Sequence, residues 1–296
     1  MTRLSLSGVG LSAVAILTSP AFAQDTTRFV AFGDYGPDGP GTGTTAVAQL
    51  VNNQAPDFIV SLGDQCYGAS PSIATQVGKP YGEWVAGQRF WPILGNHEFS
   101  DACGGGSRAS GYRSYFTLPN NERYYDVVIG PVHIFALNSA AEPDGKTSTS
   151  IQAQWLKGRL AASTSPWQVV IVHHPPYGSS ARVKGLRWPF EAWGVDAVLS
   201  GHAHNYERLH KDDNTDGVTL PYFISGLGGA SKGSFSSTAQ GSMKKYNAEY
   251  GALFVSASST ALNFEFRNVS GAMIDSYSIT KAATEPASSI RWRVVE

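Results

Sequence analysis

Five short runs of β-forming residues along this chain each lead into a polar residue, four of them through a glycine. Residues 28–32 run into Gly33-Asp34, 57–62 into Gly63-Asp64 and 90–94 into Gly95-Asn96. Residues 168–172 run directly into His173, and 195–199 lead to Gly201-His202. In open α/β sheets the ligand site lies beyond the carboxyl ends of the strands. Asp, Asn and His arriving there from five places predict a site assembled from strand-end loops. Between these runs, residues 44–53 have helical spacing through Val47, Leu50 and Val51. Residues 125–129 and 132–137 read as consecutive strands. A further helix is expected to start near Ser150, a suitable N-cap, with Ile151, Trp155, Leu156 and Leu160 on one face. Residues 221–279 are mostly strand-like and predict a second sheet, hence an α/β architecture of two packed sheets flanked by helices. The glycine-rich stretches 36–43, 104–111 and 226–237 read as surface loops, and 281–296 as a tail or terminal strand.

A chain of 296 residues is long enough for one large domain with a full core. Its net charge of −1 argues against an extended basic nucleic-acid surface and against an acidic tail. Arg3, the apolar run 9–17 and the small residues of Ala21-Phe22-Ala23 fit a signal peptide over 1–23, cleaved before Gln24. The expectation is a secreted or periplasmic protein with a single domain over 24–296. No later stretch is apolar enough to suggest a membrane span, so no membrane association is expected. Cys66 and Cys103 are either a disulfide, as an oxidising compartment permits, or two buried thiols.

Each polar motif is weak alone, since Gly and Asp form turns anywhere. The combination is specific. Five of the seven histidines fall within these segments, in Gly95-Asn96-His97-Glu98, His173-His174-Pro175-Pro176 and Gly201-His202-Ala203-His204. Together with Asp34, Asp64 and Tyr67 they provide carboxylates, an amide oxygen, imidazoles and a phenol. That donor mix suits first-row transition metals, whereas calcium would take oxygen ligands alone. The absence of paired Cys motifs argues against a structural zinc site.

The ordered blocks G-D-x-G, G-D-x-x-Y, G-N-H-E, V-x-x-H and G-H-x-H resemble the purple acid phosphatase branch of the calcineurin-like metallophosphoesterases, over roughly residues 28–280. The resemblance implies a four-layer αββα sandwich of two mixed β-sheets flanked by helices, with a binuclear centre at the strand ends. Carried over by motif, Asp34, Tyr67 and His204 would hold a first metal, Asn96, His173 and His202 a second, and Asp64 would bridge. His97 would lie beside them in the catalytic role of protonating the leaving alkoxide, with Glu98 orienting it; His174 is the alternative to His173 as ligand, and Tyr206 and Arg208 would either border the substrate or serve structure. Anionic oxygen donors favour Fe(III) beside Tyr67, and the more neutral second set suits Fe(II), Zn or Mn.

The implied reaction is hydrolysis of phosphate monoesters by in-line attack of a metal-activated hydroxide. The alternative is a phosphodiesterase or nucleotide hydrolase on the same centre. The expected partner is a small phosphorylated substrate. His133 and His210 fall outside the blocks and are expected to be non-catalytic. No further histidines follow shortly after Pro176, where some family members place substrate contacts.

Overall fold

A computed structural model describes residues 26–36, 43–67, 72–103, 106–140, 145–212 and 215–282. The expected signal peptide over 1–23 lies outside the described residues. Strands β1 (Thr27–Phe32), β2 (Phe58–Ser61) and β3 (Phe90–Pro92) run parallel, joined by helices α1 (Thr44–Gln54) and α2 (Ile73–Ala86). A short helix α3 (Ser110–Tyr115) precedes the hairpin of β4 (Tyr125–Ile129) and β5 (Val132–Leu137). Helix α4 (Ile151–Ala161) then leads to β6 (Trp167–Val172) and β7 (Ala197–Ser200), both parallel to β5. Strands β8 (Tyr206–Lys211), β9 (Leu220–Ser225) and β10 (Ser242–Tyr246) complete that sheet. Strands β11 (Gly251–Ala257), β12 (Ala261–Asn268) and β13 (Met273–Thr280) return to the first sheet, with β11 antiparallel to β1. The sheet orders are β13-β12-β11-β1-β2-β3 and β10-β8-β9-β7-β6-β5-β4.

The four expected layers follow from strands that are apolar on both faces. In β1, Phe29 and Ala31 point into the core between the sheets, where they join Val60 of β2, Leu253 of β11 and Ile134, Ile171 and Leu199 of the second sheet. The alternate residues Val30 and Phe32 pack outward on Val47 and Val51 of α1 and Val77 and Tyr81 of α2. On the far side Leu137, Val170 and Val198 meet Ala153, Leu156 and Leu160 of α4. Each such side chain contributes about 1.5–3 kcal/mol on burial.

The second predicted helix begins as expected, with Ser150 Oγ accepting the Ala153 N–H at 3.2 Å. Its buried face carries Leu156 and Leu160, with Trp155 packed beside them, and departs from expectation only at the first residue. Ile151 is 75 % exposed, because Gln152 turns inward instead and clamps the Asn138 backbone at both N–H (2.6 Å) and C=O (2.8 Å). The long helix α2 had no counterpart in the sequence reading, because Gly78, Pro80 and Gly82 interrupt its pattern. Burial of Ile73, Val77, Tyr81 and Trp84 along one stripe outweighs those weak helix formers. Between 104 and 111, expected to be loop, α3 starts at Ser110 and buries Tyr112.

Cys66 and Cys103 form a disulfide, with Cα atoms 5.9 Å apart. It joins the loop after β2 to the one after β3. By the chain-entropy treatment, closing a loop of 37 residues stabilises by about 4 kcal/mol. Among the described residues, no helix is long and apolar enough to cross a membrane.

Candidate metal centre

The carboxyl ends of the parallel strands in both sheets open onto one cleft. Asp34 follows β1, Asp64 follows β2, Asn96 follows β3, His173 ends β6, and His202 and His204 follow β7. Four of these residues hold left-handed backbone: φ is +59° at Asp34, +53° at Asp64, +68° at His202 and +50° at His204. Such conformations are disfavoured for residues with a Cβ and concentrate where the surrounding fold imposes them. The glycines beside them permit close approach. A Cβ on Gly63 would stand 2.5 Å from His173 Nδ1, and one on Gly201 would stand 2.6 Å from Asp34 Oδ2.

Asp34, Asp64 and His204 bring one donor atom each to within 4.8 Å of one another. Tyr67 joins them, its hydroxyl 3.3 Å from Asp34 Oδ1, 3.2 Å from Asp64 Oδ2 and 2.9 Å from His204 Nε2. His204 Nδ1 lies 2.6 Å from the Ser231 carbonyl, which can only accept, so the lone pair of a neutral ring is on Nε2. One phenolic proton therefore faces three acceptors. The neighbouring group repeats this excess. His173 Nδ1 lies 2.7 Å from the Leu62 carbonyl, and its Nε2 is 3.2 Å from both Asn96 Oδ1 and Asp64 Oδ2. The His202 ring centroid lies 5.1 Å from that of His173. More acceptors than donors converge in each group, most of them buried; this calls for a cation, and these residue types fit a transition metal in each group.

The titration behaviour has the same origin. Burial drives the Asp34 carboxyl well above the usual range; His173 opposes this and Asp64 adds to it. At Asp64 burial is overcome by the adjacent His173 and the His97 N–H, so its carboxyl lies below the usual range. His173 rises to about 10, because Asp64 and Asp34 outweigh the effect of burial. Burial, then the two aspartates, raise the Tyr67 phenol far above its ordinary value. Protons thus occupy the place a cation would take, and a bound cation inverts this ordering.

The other expected site residues divide. The His97 ring packs on Tyr67 with centroids 4.1 Å apart and planes tilted by 38°, its side chain is 37 % exposed, and its Nε2 is 4.0 Å from Asp64 Oδ2. Glu98 is fully buried and accepts three backbone N–H groups, from Gly95 (2.6 Å), Asp64 (3.0 Å) and Gln65 (2.7 Å). It orders the ligand loops directly instead of orienting His97. A ring nitrogen of His174 lies within 4.8 Å of ring nitrogens of His173 and His202, and burial holds that imidazole down at about 2. Tyr206 and Arg208 do not border the cleft group. Both bind Asp275 of β13, the Tyr206 hydroxyl at 2.8 Å and the guanidinium at 2.7 and 3.0 Å, and so tie the two sheets together. His133 is engaged by Asp126 (2.7 Å) and Ser163 (2.8 Å), and His210 by Arg208 (3.1 Å). Ser139, buried after β5 and 2.9 Å from His174 Nδ1, was missed, since a lone serine in a loop carries no sequence signal.

A family profile described as calcineurin-like phosphoesterase matches residues 27–206. The chain is 27 % identical over 267 residues to tartrate-resistant acid phosphatase type 5 of Rattus norvegicus, covering 77 % of this chain and 79 % of that one. It is 28 % identical over 187 residues to purple acid phosphatase 22 of Arabidopsis thaliana, covering 57 % of this chain and 42 % of that one. It therefore spans less than half of the plant relative's length. The purple acid phosphatase from yellow lupin (Lupinus luteus) seeds superposes with a TM-score of 0.72 at 19 % identity, over 90 % of this chain and 58 % of that one. That likeness shows a shared fold.

Proposed function

Since the chain belongs to the calcineurin-like phosphoesterase family, we propose that it hydrolyses phosphate monoesters at a two-metal centre. The observation carrying this reading is the convergence of the Tyr67 hydroxyl on Asp34, Asp64 and His204 within 3.3 Å. Asp34, Tyr67 and His204 would hold one ion, Asn96, His173 and His202 the other, and Asp64 would serve both. The donor chemistry suits Fe(III) beside the phenolate and Fe(II), Zn or Mn at the second position. When bound, such ions polarise a phosphoryl oxygen and acidify a water for attack. The Leu62 and Ser231 carbonyls hold His173 and His204 in the Nε2-donor tautomer. His97, exposed at the mouth of the cleft, delivers a proton to the departing alkoxide. Export is part of the reading and is supported by the Cys66–Cys103 bridge, which suits an oxidising compartment.

If iron sits beside Tyr67, Tyr67→Phe should bleach the visible phenolate-to-iron absorption while the chain still folds; unchanged colour would remove Tyr67 from the ligand set. The test of substrate class is the ratio of kcat/KM for p-nitrophenyl phosphate and bis(p-nitrophenyl) phosphate with metal-replete protein. A monoester preference of tenfold or more is expected. A preference for the diester would keep the centre but move the substrate to phosphodiesters or nucleotides.

A further inference from the structure

The histidines around the cleft differ in what holds their Nδ1 atoms. At His173 and His204 the partner is a backbone carbonyl, which can only accept a proton, so Nε2 is the metal-facing lone pair. At His174 it is a hydroxyl. Ser139 Oγ lies 2.9 Å from His174 Nδ1 and accepts the backbone N–H of His174 at 3.0 Å. These are its hydrogen-bonding partners among the described residues, and Ser139 is fully buried. A buried hydroxyl proton without an acceptor is costly. The lone pair of Nδ1 is the acceptor within reach, so the Ser139 O–H donates to it. The ring proton of neutral His174 is then on Nε2, the nitrogen left for the cleft.

From this hydrogen-bond pattern we propose that His174 is not a metal ligand but a neutral hydrogen-bond donor, whose Nε2–H binds a phosphoryl oxygen of the substrate and whose tautomer is set by Ser139. The placement supports the role. The His174 ring is packed 4.3 Å from the His202 ring and 4.9 Å from that of His173, centroid to centroid, at the rim of the second donor group. The parallel pairing of β5 and β6 sets Leu137 opposite Val172, which brings Ser139 alongside His174 just past the strand ends. Ser139 is accordingly a positioning residue. A neutral donor can approach the cations without adding charge and can orient a phosphate dianion through one hydrogen bond.

The inference rests on the proposed two-metal reading, and the test separates the two. Wild type, His174→Ala, His174→Gln, Ser139→Ala and the double variant Ser139→Ala/His174→Ala are loaded with zinc. Metal content is measured by mass spectrometry and inorganic phosphate affinity by titration calorimetry. All variants should keep the wild-type metal content. Phosphate affinity should fall about tenfold in His174→Ala, less in Ser139→Ala, and no further in the double variant, as expected if the two act through one hydrogen bond. His174→Gln, whose amide can donate, should recover part of the loss. Nitrogen-15 NMR of the zinc protein should place the His174 ring proton on Nε2 in wild type and show a tautomer mixture in Ser139→Ala. Loss of a metal in His174→Ala, a proton on Nδ1 in wild type, or phosphate affinity unchanged in His174→Ala overturns the proposal. A wild-type protein that binds no metal pair overturns the two-metal reading itself.

Discussion

Asp64→Asn should reduce bound metal below two ions per chain and lower kcat/KM for a phosphate monoester by about a thousandfold or more, equivalent to about 4 kcal/mol of transition-state stabilisation. Asp64 Oδ2 stands 3.2 Å from both the Tyr67 hydroxyl and His173 Nε2, so this one carboxylate reaches both donor groups. Asparagine is the informative substitution. It tolerates the left-handed φ of +53° and keeps an oxygen to accept the His97 N–H, bonded at 2.9 Å. What it removes is the negative charge that the proposed pair of cations would share. The metal-free variant should melt below the metal-free parent, since it loses the buried Asp64–His173 pair, while metal analysis and turnover both collapse. Full activity with two ions bound would refute the bridging role.

The opposite signature is expected for Glu98→Ala. Its carboxylate satisfies the N–H groups of Gly95, Asp64 and Gln65 in a fully buried position. Removing it strands three buried donors at about 1–3 kcal/mol each, so a loss of about 3–5 kcal/mol is expected even if water enters the gap. For a domain of this size that lowers Tm by about 10 °C. Thermal melts of metal-free protein isolate this effect from metal loss. Glu98→Gln, which retains one acceptor oxygen, should fall between parent and alanine. If the alanine variant melts with the parent, Glu98 does not hold the Asp64 and Asn96 loops together. Asp64→Asn thus probes the charge at the centre, and Glu98→Ala probes the scaffold that aims that charge.

The two residues were unequally legible in sequence. Asp64 lies in a Gly-Asp step after a strand, and such a step has a local cause: the turn needs left-handed backbone, and Gly63 has no room for a Cβ beside His173. Glu98 also sits in a recognisable block, but its role depends on Asp64 and Gln65, over thirty residues away. Tyr206 and Arg208 show the same limit, since nothing near them announces that Asp275 on the other sheet will take both side chains.

Strand ends, the two-faced apolar runs, the N-cap at Ser150 and the donor types at the cleft were determined by the sequence alone, because each follows from residues within a few positions of one another. Tertiary structure alone decided that Gln152 replaces Ile151 on the buried face of α4, that α2 is helical despite Pro80, that Cys66 meets Cys103, and that Ser139 holds His174. In every one of these the deciding energy is a contact between distant parts of the chain, either an apolar stripe against a sheet or a buried polar atom finding its one partner. No local pattern encodes such a contact.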